Sequence, residues 1–311
     1  MGRRSRKKNH KLYHGIVGWL PLKVFLFILK ILPVKCLYCF GEKLSQFIFT
    51  TLKKRRDISM GNLRLAFGKE KTEEEIRKIY RSTIRNIGRG GVEILAYPRF
   101  CDGYFNDMIS IDGKENLDEA LKRGKGVIAV SAHFGNFPFL ATKIASLGYP
   151  ISVIFRHPHQ RGLAQYFEDQ LNLSGVEPIP DKPRKSCVAK SLKCLKRNEI
   201  LLLLMDMNAG SGGGVYVDFF GWMVPTFKGP IVLALRTGAA VLPVFIVREA
   251  GDRHRIIIDP PMDLKLIGDK DKNIFTNLSR LSKIVESHIR EYPDQWWWIH
   301  RRWRKAKPNE S

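Results

Sequence analysis

The feature that most constrains the fold is a regular alternation of short, mainly apolar runs with amphipathic segments between residues 114 and 292. The clearest apolar runs are Val127–Ser131, Ile151–Phe155 and residues 200–205, and helical patterns separate them. Strands that are buried on both faces have continuous apolar sequences, and strands joined by helical crossovers pair in parallel. The alternation therefore predicts an α/β fold with a mainly parallel central sheet flanked by helices.

Other elements are predicted on both sides of these runs. Thr72 precedes three consecutive glutamates, which is typical of a helix start because a hydroxyl caps the first turn and carboxylates favour the positive end of the helix dipole. We therefore predict a helix over residues 72–97. Further helices are predicted near residues 136–147, 163–171, 185–195, 229–236 and 273–292, and further strands at residues 215–220, 241–247 and 255–258.

The chain is strongly basic, with 53 Lys and Arg against 30 Asp and Glu and a net charge of +23. Residues 1–56 contain fourteen of these cations and a single acid, Glu42, and they surround an apolar stretch over residues 15–52. Basic and apolar residues together suit an anionic membrane surface better than DNA, where exposed leucines would have no partner. We expect anionic membrane lipids as a partner and no nucleic acid.

The apolar stretch predicts an N-terminal helical membrane anchor that lies in the interface. Lys23, Lys30, Lys35 and Lys43 interrupt it, so no apolar run reaches the roughly 20 residues of a clean spanning helix. A spanning helix stays possible because lysines can snorkel, and we see no small-residue cleavage site that would indicate a signal peptide. We divide the chain into this segment, residues 1–56, and a catalytic domain, residues 57–311.

Three polar residues follow predicted strands and point to a site. His133 follows Val127–Ser131, Arg156 follows Ile151–Phe155, and Asp206 follows the run at 200–205. Ligands bind at the carboxyl ends of the strands in an open parallel sheet. We therefore expect these three side chains to meet at one edge of the sheet.

The proposed chemistry is proton transfer by His133. A histidine can take the proton of a hydroxyl while that oxygen attacks a carbonyl, and the chain has no Gly-x-Ser-x-Gly elbow that would indicate an enzyme nucleophile. Asp206 would orient the imidazole. Backbone amides after Gly135 or the Arg156 guanidinium would stabilise the oxyanion, and the sequence leaves both open. The expected substrate-binding residues are Arg156, Asn136, Gly135, Asn208 and Lys228.

Several other sequence patterns give weaker indications of function. His157 and His159 lack the spacing and the partners of a metal cage, so we expect neither a metal nor another cofactor. Residues 210–214 lack the rest of a phosphate loop and are interpreted as a mobile hairpin. The tryptophan- and arginine-rich run at residues 295–305 suits either the lipid headgroup layer or packing on the core with its arginines solvated.

Taken together, these motifs resemble the bacterial lipid A biosynthesis acyltransferases, a family of lauroyl and myristoyl transferases that is similar to lysophospholipid acyltransferases. The likeness extends over nearly the whole chain. The resembling pieces are residues 62–67, 133–136, 219–221, 225–230, 236–239, 243–245 and 298–302.

The resemblance implies an acyltransferase at the cytoplasmic face of the bacterial inner membrane. The donor would be a thioester of acyl carrier protein or coenzyme A, and the acceptor a hydroxyl of a membrane glycolipid or lysolipid, as in lipopolysaccharide synthesis. One position departs from the family pattern: an acidic residue is expected five positions after the histidine, where this chain has Pro138. Asp206 would supply the carboxylate instead. The alternative is a catalytically impaired member that binds lipid or acyl carrier protein.

Overall fold

The computed structural model describes residues 31–96, 107–156, 161–209 and 214–308. Its helices are α1 (Val34–Thr51), α2 (Lys53–Phe67), α3 (Glu73–Leu95), α4 (Lys114–Lys122), α5 (Phe137–Ser146), α6 (Arg161–Leu173), α7 (Arg184–Lys196), α8 (Gly229–Thr237) and α9 (Lys270–Glu291). Its strands are β1 (Ile109–Asp112), β2 (Val127–Ser131), β3 (Ile151–Phe155), β4 (Val176–Pro180), β5 (Ile200–Leu204), β6 (Val215–Phe219), β7 (Trp222–Thr226), β8 (Ala240–Arg248), β9 (His254–Ile258) and β10 (Lys307–Pro308).

The main sheet has the strand order β1-β9-β8-β2-β5-β3-β4. The neighbours β8, β2, β5, β3 and β4 are parallel to one another, whereas β9 pairs with β8 in the antiparallel sense and β1 is parallel to β9. The predicted mainly parallel sheet is therefore confirmed. A second, small sheet has the order β10-β7-β6.

The central strands are apolar because helices cover both faces of the sheet. Every residue of β2 is buried, and β5 and β8 are buried along nearly their whole length. Residues that alternate along each strand contribute to two hydrophobic clusters, one on each face. The apolar runs that predicted these strands are thus the layer that both clusters share.

The predicted elements match the described ones closely in the body of the chain. In α3, Thr72 and Glu75 form the capping box that the glutamates suggested. Strands β1, β4, β7 and β10 were not predicted. β4 carries Pro178 and Pro180, which interrupt a strand pattern, and it forms the edge of the sheet, where a missing N–H costs no ladder bond.

Helix α1 packs against α3 at a pair of glycines. A Cβ on Gly41 would lie 2.6 Å from the carbonyl oxygen of Gly88, and one on Gly88 would lie 2.3 Å from that of Gly41. Only glycine allows the two backbones to approach this closely. The division that we predict after residue 56 falls inside α2, so no break in secondary structure marks it, and residues 34–51 belong to the packed body.

The anchor prediction falls partly outside the described residues, because residues 1–30 are not among them. Within the described residues, none of the helices combines the length and the apolar character needed to cross a bilayer. The sheet confirms the α/β part of the fold prediction. The N-terminal helical anchor that accompanied it is not supported by the described residues.

Candidate active site

His133 and Asp206 meet because they follow neighbouring parallel strands in register. Ser131 at the end of β2 pairs with Leu204 at the end of β5, and each polar residue comes two positions later. The Nδ1 atom of His133 lies 2.9 Å from Oδ1 of Asp206. A carboxylate only accepts hydrogen bonds, so this contact places the imidazole proton on Nδ1 and leaves the lone pair on Nε2.

The two side chains differ sharply in exposure. The Asp206 side chain is 0% exposed, whereas that of His133 is 24% exposed and therefore open to a substrate. Burial by itself would raise the pKa of Asp206, but the His133 charge and its hydrogen bonds outweigh burial and hold this pKa well below its usual range. Burial likewise lowers the pKa of His133, but the Asp206 charge and the hydrogen bond to Asp206 together outweigh burial, so the net shift is upward.

Trp296 completes the set of donors around the carboxylate. Its indole Nε1 donates to Oδ2 of Asp206 over 2.8 Å, and the backbone N–H of His133 donates to the same oxygen over 3.0 Å. Sequence reasoning missed this role because it weighed the tryptophan run only as headgroup contact or core packing. A buried tryptophan needs a partner for its N–H, which is the signal that was available.

The segment around Trp296 bonds both loops of the site. The carbonyl of Gln295 accepts the N–H of Gly135 at 2.8 Å, and the N–H of Trp297 donates to the His133 carbonyl at 3.0 Å. Further along, the Arg302 guanidinium donates to the carbonyl of Met207 at 3.0 Å. We name residues 295–302 the C-terminal clamp, since they hold the loops after β2 and β5 together.

The alternatives for the tryptophan run are now resolved. Trp296, Trp298 and Trp303 are buried in the core, so packing accounts for them. The expectation that the arginines are solvated is correct for Arg301 and Arg304, which are exposed, and wrong for Arg302, which is buried. Burial lowers the pKa of Arg302 to about 10.

Asn62 explains one of the resembling pieces. Its side-chain amide donates to the carbonyls of Trp298 and His300 at 2.8 and 2.7 Å. These bonds fix the middle of the C-terminal clamp to α2. Residues 62–67 therefore support the site indirectly, by holding the C-terminal clamp in place.

Gly135 follows the catalytic candidate in a left-handed conformation with φ +51°. A Cβ at this position would lie 2.1 Å from the carbonyl oxygen of Ile246 in β8. The glycine thus lets the loop after β2 lie directly on the neighbouring strand. Contact with substrate remains a prediction for this residue.

Asn136 is buried and its amide donates to Oε2 of Glu93 at 2.7 Å. Glu93 also receives two bonds from Arg248, at 2.7 and 2.6 Å, and one from the Tyr38 hydroxyl at 2.8 Å. Burial would raise the pKa of Glu93, but the charges and hydrogen bonds of Arg248 and His254 together outweigh burial and hold this pKa well below its usual range. Asn136 therefore ties the loop to a buried ion pair that the sequence reading missed.

The remaining predicted residues lie farther from the pair. Arg156 is at the same edge of the sheet, but β5 lies between its strand, β3, and β2. The Arg156 side chain is 75% exposed, and its Nε donates to the Asp181 carboxylate at 2.9 Å. Asn208 donates to the carbonyl of Arg302 at 3.0 Å. Lys228 is the partly buried residue before α8. The structure thus joins His133 and Asp206 and leaves Arg156 in a separate ion pair.

Pro138 occupies the first turn of α5, after Asn136 as the helix cap. A proline in the first turn loses no helical hydrogen bond, so the departure from the family pattern leaves the helix intact. His157, His159 and residues 210–213 lie outside the described residues. Within the described ones, no group of three or more His, Cys, Asp or Glu could hold a metal ion.

A partly exposed histidine that is oriented by a buried carboxylate lies at the carboxyl edge of the parallel sheet, an arrangement that is typical of general-base enzymes. The sequence profile of the family described as bacterial lipid A biosynthesis acyltransferase matches residues 3–305. The chain belongs to this family and is an acyltransferase.

Individual relatives agree with this assignment. The lipid A biosynthesis palmitoleoyltransferase of Escherichia coli strain K12 is 27% identical over 309 residues, which cover 99% of this chain and 96% of the relative. The lauroyltransferase of the same strain is 26% identical over 293 residues, 93% and 92% of the two chains. A phosphatidylinositol mannoside acyltransferase of Mycolicibacterium smegmatis is 24% identical over 229 residues, 72% of each chain.

Proposed function

We propose that this enzyme transfers a fatty acyl group from a thioester donor to a hydroxyl of a membrane glycolipid or lysolipid, with His133 as the general base. The observation that carries the proposal is the 2.9 Å contact between His133 Nδ1 and the fully buried Asp206 carboxylate. This contact directs the basic Nε2 away from Asp206. The relatives' names, which include transferases for lipid A and for a phosphatidylinositol mannoside, support a glycolipid or lysolipid acceptor.

The reaction balances without a covalent enzyme intermediate. Nε2 of His133 takes the proton of the acceptor hydroxyl as its oxygen forms a bond to the thioester carbonyl carbon. The carbon–sulfur bond then breaks, and the imidazolium returns its proton to the departing sulfur. Asp206 stays ionised and stabilises the imidazolium, as its lowered pKa requires.

The donor would be an acyl carrier protein or a coenzyme A thioester. Both are anionic, and the net charge of +23 gives the enzyme a field that attracts such partners. The reaction itself takes place at the thioester carbonyl carbon, which both donors have. The basic charge therefore favours both donors alike.

We further propose that α1 lies on the cytoplasmic surface of the inner membrane. One face of this helix packs on α3, and the opposite face exposes large apolar side chains, with Phe47 66% exposed. Exposed Lys35, Lys43 and Lys53 flank them, which suits a helix at an anionic lipid surface. The exposed apolar residues are Phe40, Leu44, Phe47, Ile48 and Leu52.

The experiment that tests the catalytic proposal is replacement of His133. His133→Ala should lower kcat by about 10²–10⁴-fold, the usual contribution of a general base, with the unfolding temperature kept within a few degrees. His288→Ala is the matched control. His288 lies on α9, outside the site, and its Nε2 is 2.9 Å from the Asp259 carboxylate. The control should keep its turnover per folded molecule. Normal turnover of the His133 variant would refute the role.

The membrane proposal has its own test. Phe47→Glu should abolish flotation with phosphatidylglycerol vesicles, while Phe275→Glu should not, because Phe275 is an exposed phenylalanine on α9. Equal flotation of both variants would contradict the placement of α1. A wild-type enzyme that consumes no acyl thioester but still floats would favour the alternative of an impaired, lipid-binding family member.

A further inference from the structure

A cavity of about 510 Å³ opens between α2 and α3. Its volume falls within the range of about 300–1,000 Å³ that small-molecule sites occupy, but such sites are mostly apolar. Here charged side chains form most of the wall, so the cavity suits a polar headgroup and not an acyl chain. The lining residues are Arg56, Asp57, Met60, Arg64, Glu73, Arg77, Tyr80 and Arg81.

The wall carries two positive charges in excess. Glu73 accepts bonds from Arg64 at 2.6 and 2.9 Å and from Arg77 at 3.3 Å. The bond to Arg64 is the main reason that the pKa of Glu73 falls to about 2, so this carboxylate stays ionised. Asp57 lies 3.6 Å from Arg56. Four guanidinium groups thus face two carboxylates.

Arg81 is the cation without a counter-ion. Its side chain is exposed and makes no ion pair with any residue that the structure describes. The neighbouring Tyr80 lines the same wall. A phosphate monoester carries a charge of about −1.5 to −2 at pH 7 and binds arginine through paired hydrogen bonds. Its charge would balance the excess of the wall.

The cavity is linked along the chain to the proposed membrane face and through packing contacts to the catalytic pair. α2 begins two residues after α1 ends, so the exposed apolar face of α1 leads into the wall at Arg56. On the other side, Tyr80 packs in one apolar cluster with Ile299 and Trp297, and the N–H of Trp297 donates to the carbonyl of His133. A headgroup held here would rest at the bilayer surface beside the site.

We infer that this cavity binds a phosphate monoester on the headgroup of the acceptor lipid, with Arg81 as its main contact. The inference rests on the proposed function, because it assigns the cavity to the acceptor of acyl transfer. It adds that α2 and α3 recognise the phosphate of the acceptor.

Binding to the full-length enzyme in phosphatidylcholine nanodiscs tests this inference, with glucose 1-phosphate as the probe. The wild type should bind glucose 1-phosphate at least about 10-fold more tightly than glucose, the value of one charge-assisted hydrogen bond. Inorganic phosphate should compete. Arg81→Glu should remove this preference.

Arg85→Glu is the matched control. Arg85 lies one turn further along α3, is exposed, makes no ion pair among the described residues and does not line the cavity. Both variants change the net charge by the same amount, so a loss confined to Arg81→Glu separates a site from the general field. Equal probe binding by the two variants would overturn the inference.

Two further arms identify the source of the phosphate and separate the two proposals. If Arg81→Glu instead loses only flotation with phosphatidylglycerol vesicles and keeps the preference for glucose 1-phosphate, the cavity serves bulk phospholipid and the inference fails. His133→Ala should bind glucose 1-phosphate like the wild type. Normal turnover in that variant would refute the general base and leave the probe result standing.

Discussion

Trp296 donates its indole N–H to Oδ2 of Asp206 over 2.8 Å, on the oxygen that also accepts the backbone N–H of His133. Two donors therefore fix one carboxylate oxygen and direct the other, Oδ1, at the imidazole. A carboxylate held in this way cannot rotate without breaking buried hydrogen bonds. The position of the imidazole thus depends on a residue that follows it by more than 160 positions.

Loss of the indole donor should lower the catalytic rate more than it disturbs the packing of the core. In Trp296→Phe the ring remains aromatic, but Oδ2 of Asp206 loses one of its two fixing bonds. We expect kcat to fall about 10-fold and the free energy of unfolding to fall by about 1–3 kcal/mol, the cost of a lost buried hydrogen bond. Steady-state kinetics and chemical denaturation measure the two effects.

Trp303→Phe is the control for this prediction. Trp303 is also buried, and its indole nitrogen has no hydrogen-bond partner among the described residues. The substitution removes a similar volume without removing a bond, so kcat should stay within about twofold. Equal losses in the two variants would show that packing, and not the bond to Asp206, sets the activity.

The pH dependence should report the charge of Asp206. His133 acts as a base only when neutral, and its raised pKa places the acid limb of kcat/KM above the usual 6.5. In Asp206→Asn the charge is gone and burial still lowers the pKa of His133, so the limb should move to lower pH. The plateau should also fall by about 10²–10⁴-fold as the imidazole loses its orienting partner. An unmoved limb would contradict the pairing.

The buried pair of Glu93 and Arg248 should dominate stability near the site. Glu93→Gln removes the nearer charge partner of the buried Arg248 guanidinium and leaves Asp252 at 3.5 Å, which costs about 3–5 kcal/mol. The exposed pair of Glu73 and Arg64 is the comparison, and Glu73→Gln should shift the denaturation midpoint far less. Similar shifts for the two variants would refute the importance of the buried pair.

The Glu93 contribution also has a pH signature. The folded-state pKa of this carboxyl lies well below the ordinary value of 4.5. Its stabilisation is therefore complete above about pH 4.5 and declines as the pH falls further. The difference in unfolding free energy between wild type and Glu93→Gln should shrink over that range, as denaturation at a series of pH values would show.

Gly135→Ala tests the close approach of the loop to β8. The added Cβ would meet the Ile246 carbonyl and would also occupy a left-handed conformation, so both stability and activity should fall. Gly148 has φ +85° but open space around it. Gly148→Ala should therefore cost only the conformational strain, about 1–2 kcal/mol, with turnover unchanged. Thermal unfolding and initial rates distinguish the two.

Much of the sheet was predictable because burial on both faces leaves a simple mark in the sequence. The runs at β2, β3 and β5 contain almost nothing but apolar residues, and their boundaries were predicted to within one residue. β4 was not predictable in this way, because its prolines are tolerated only at an edge. Edge position depends on the order of strands in space, which local pattern does not contain.

The site was predictable in part for a similar reason. His133 and Asp206 end adjacent parallel strands, so topology alone brings them together. Glu93 and Trp296 reach the site from α3 and from the C-terminal clamp, and neither follows a strand of the sheet. A lone glutamate in an apolar stretch of helix signals a buried partner, but the sequence does not say that the partner is Arg248.

The C-terminal clamp also affects the order in which the site is formed while the protein is synthesised. The loops after β2 and β5 are translated well before residues 295–302, yet both take their bonds from that segment. A nascent chain can therefore pair its strands early and still hold an unaligned imidazole. We therefore expect acyl transfer to begin only after the tryptophan-rich segment has left the ribosome and docked on the two loops.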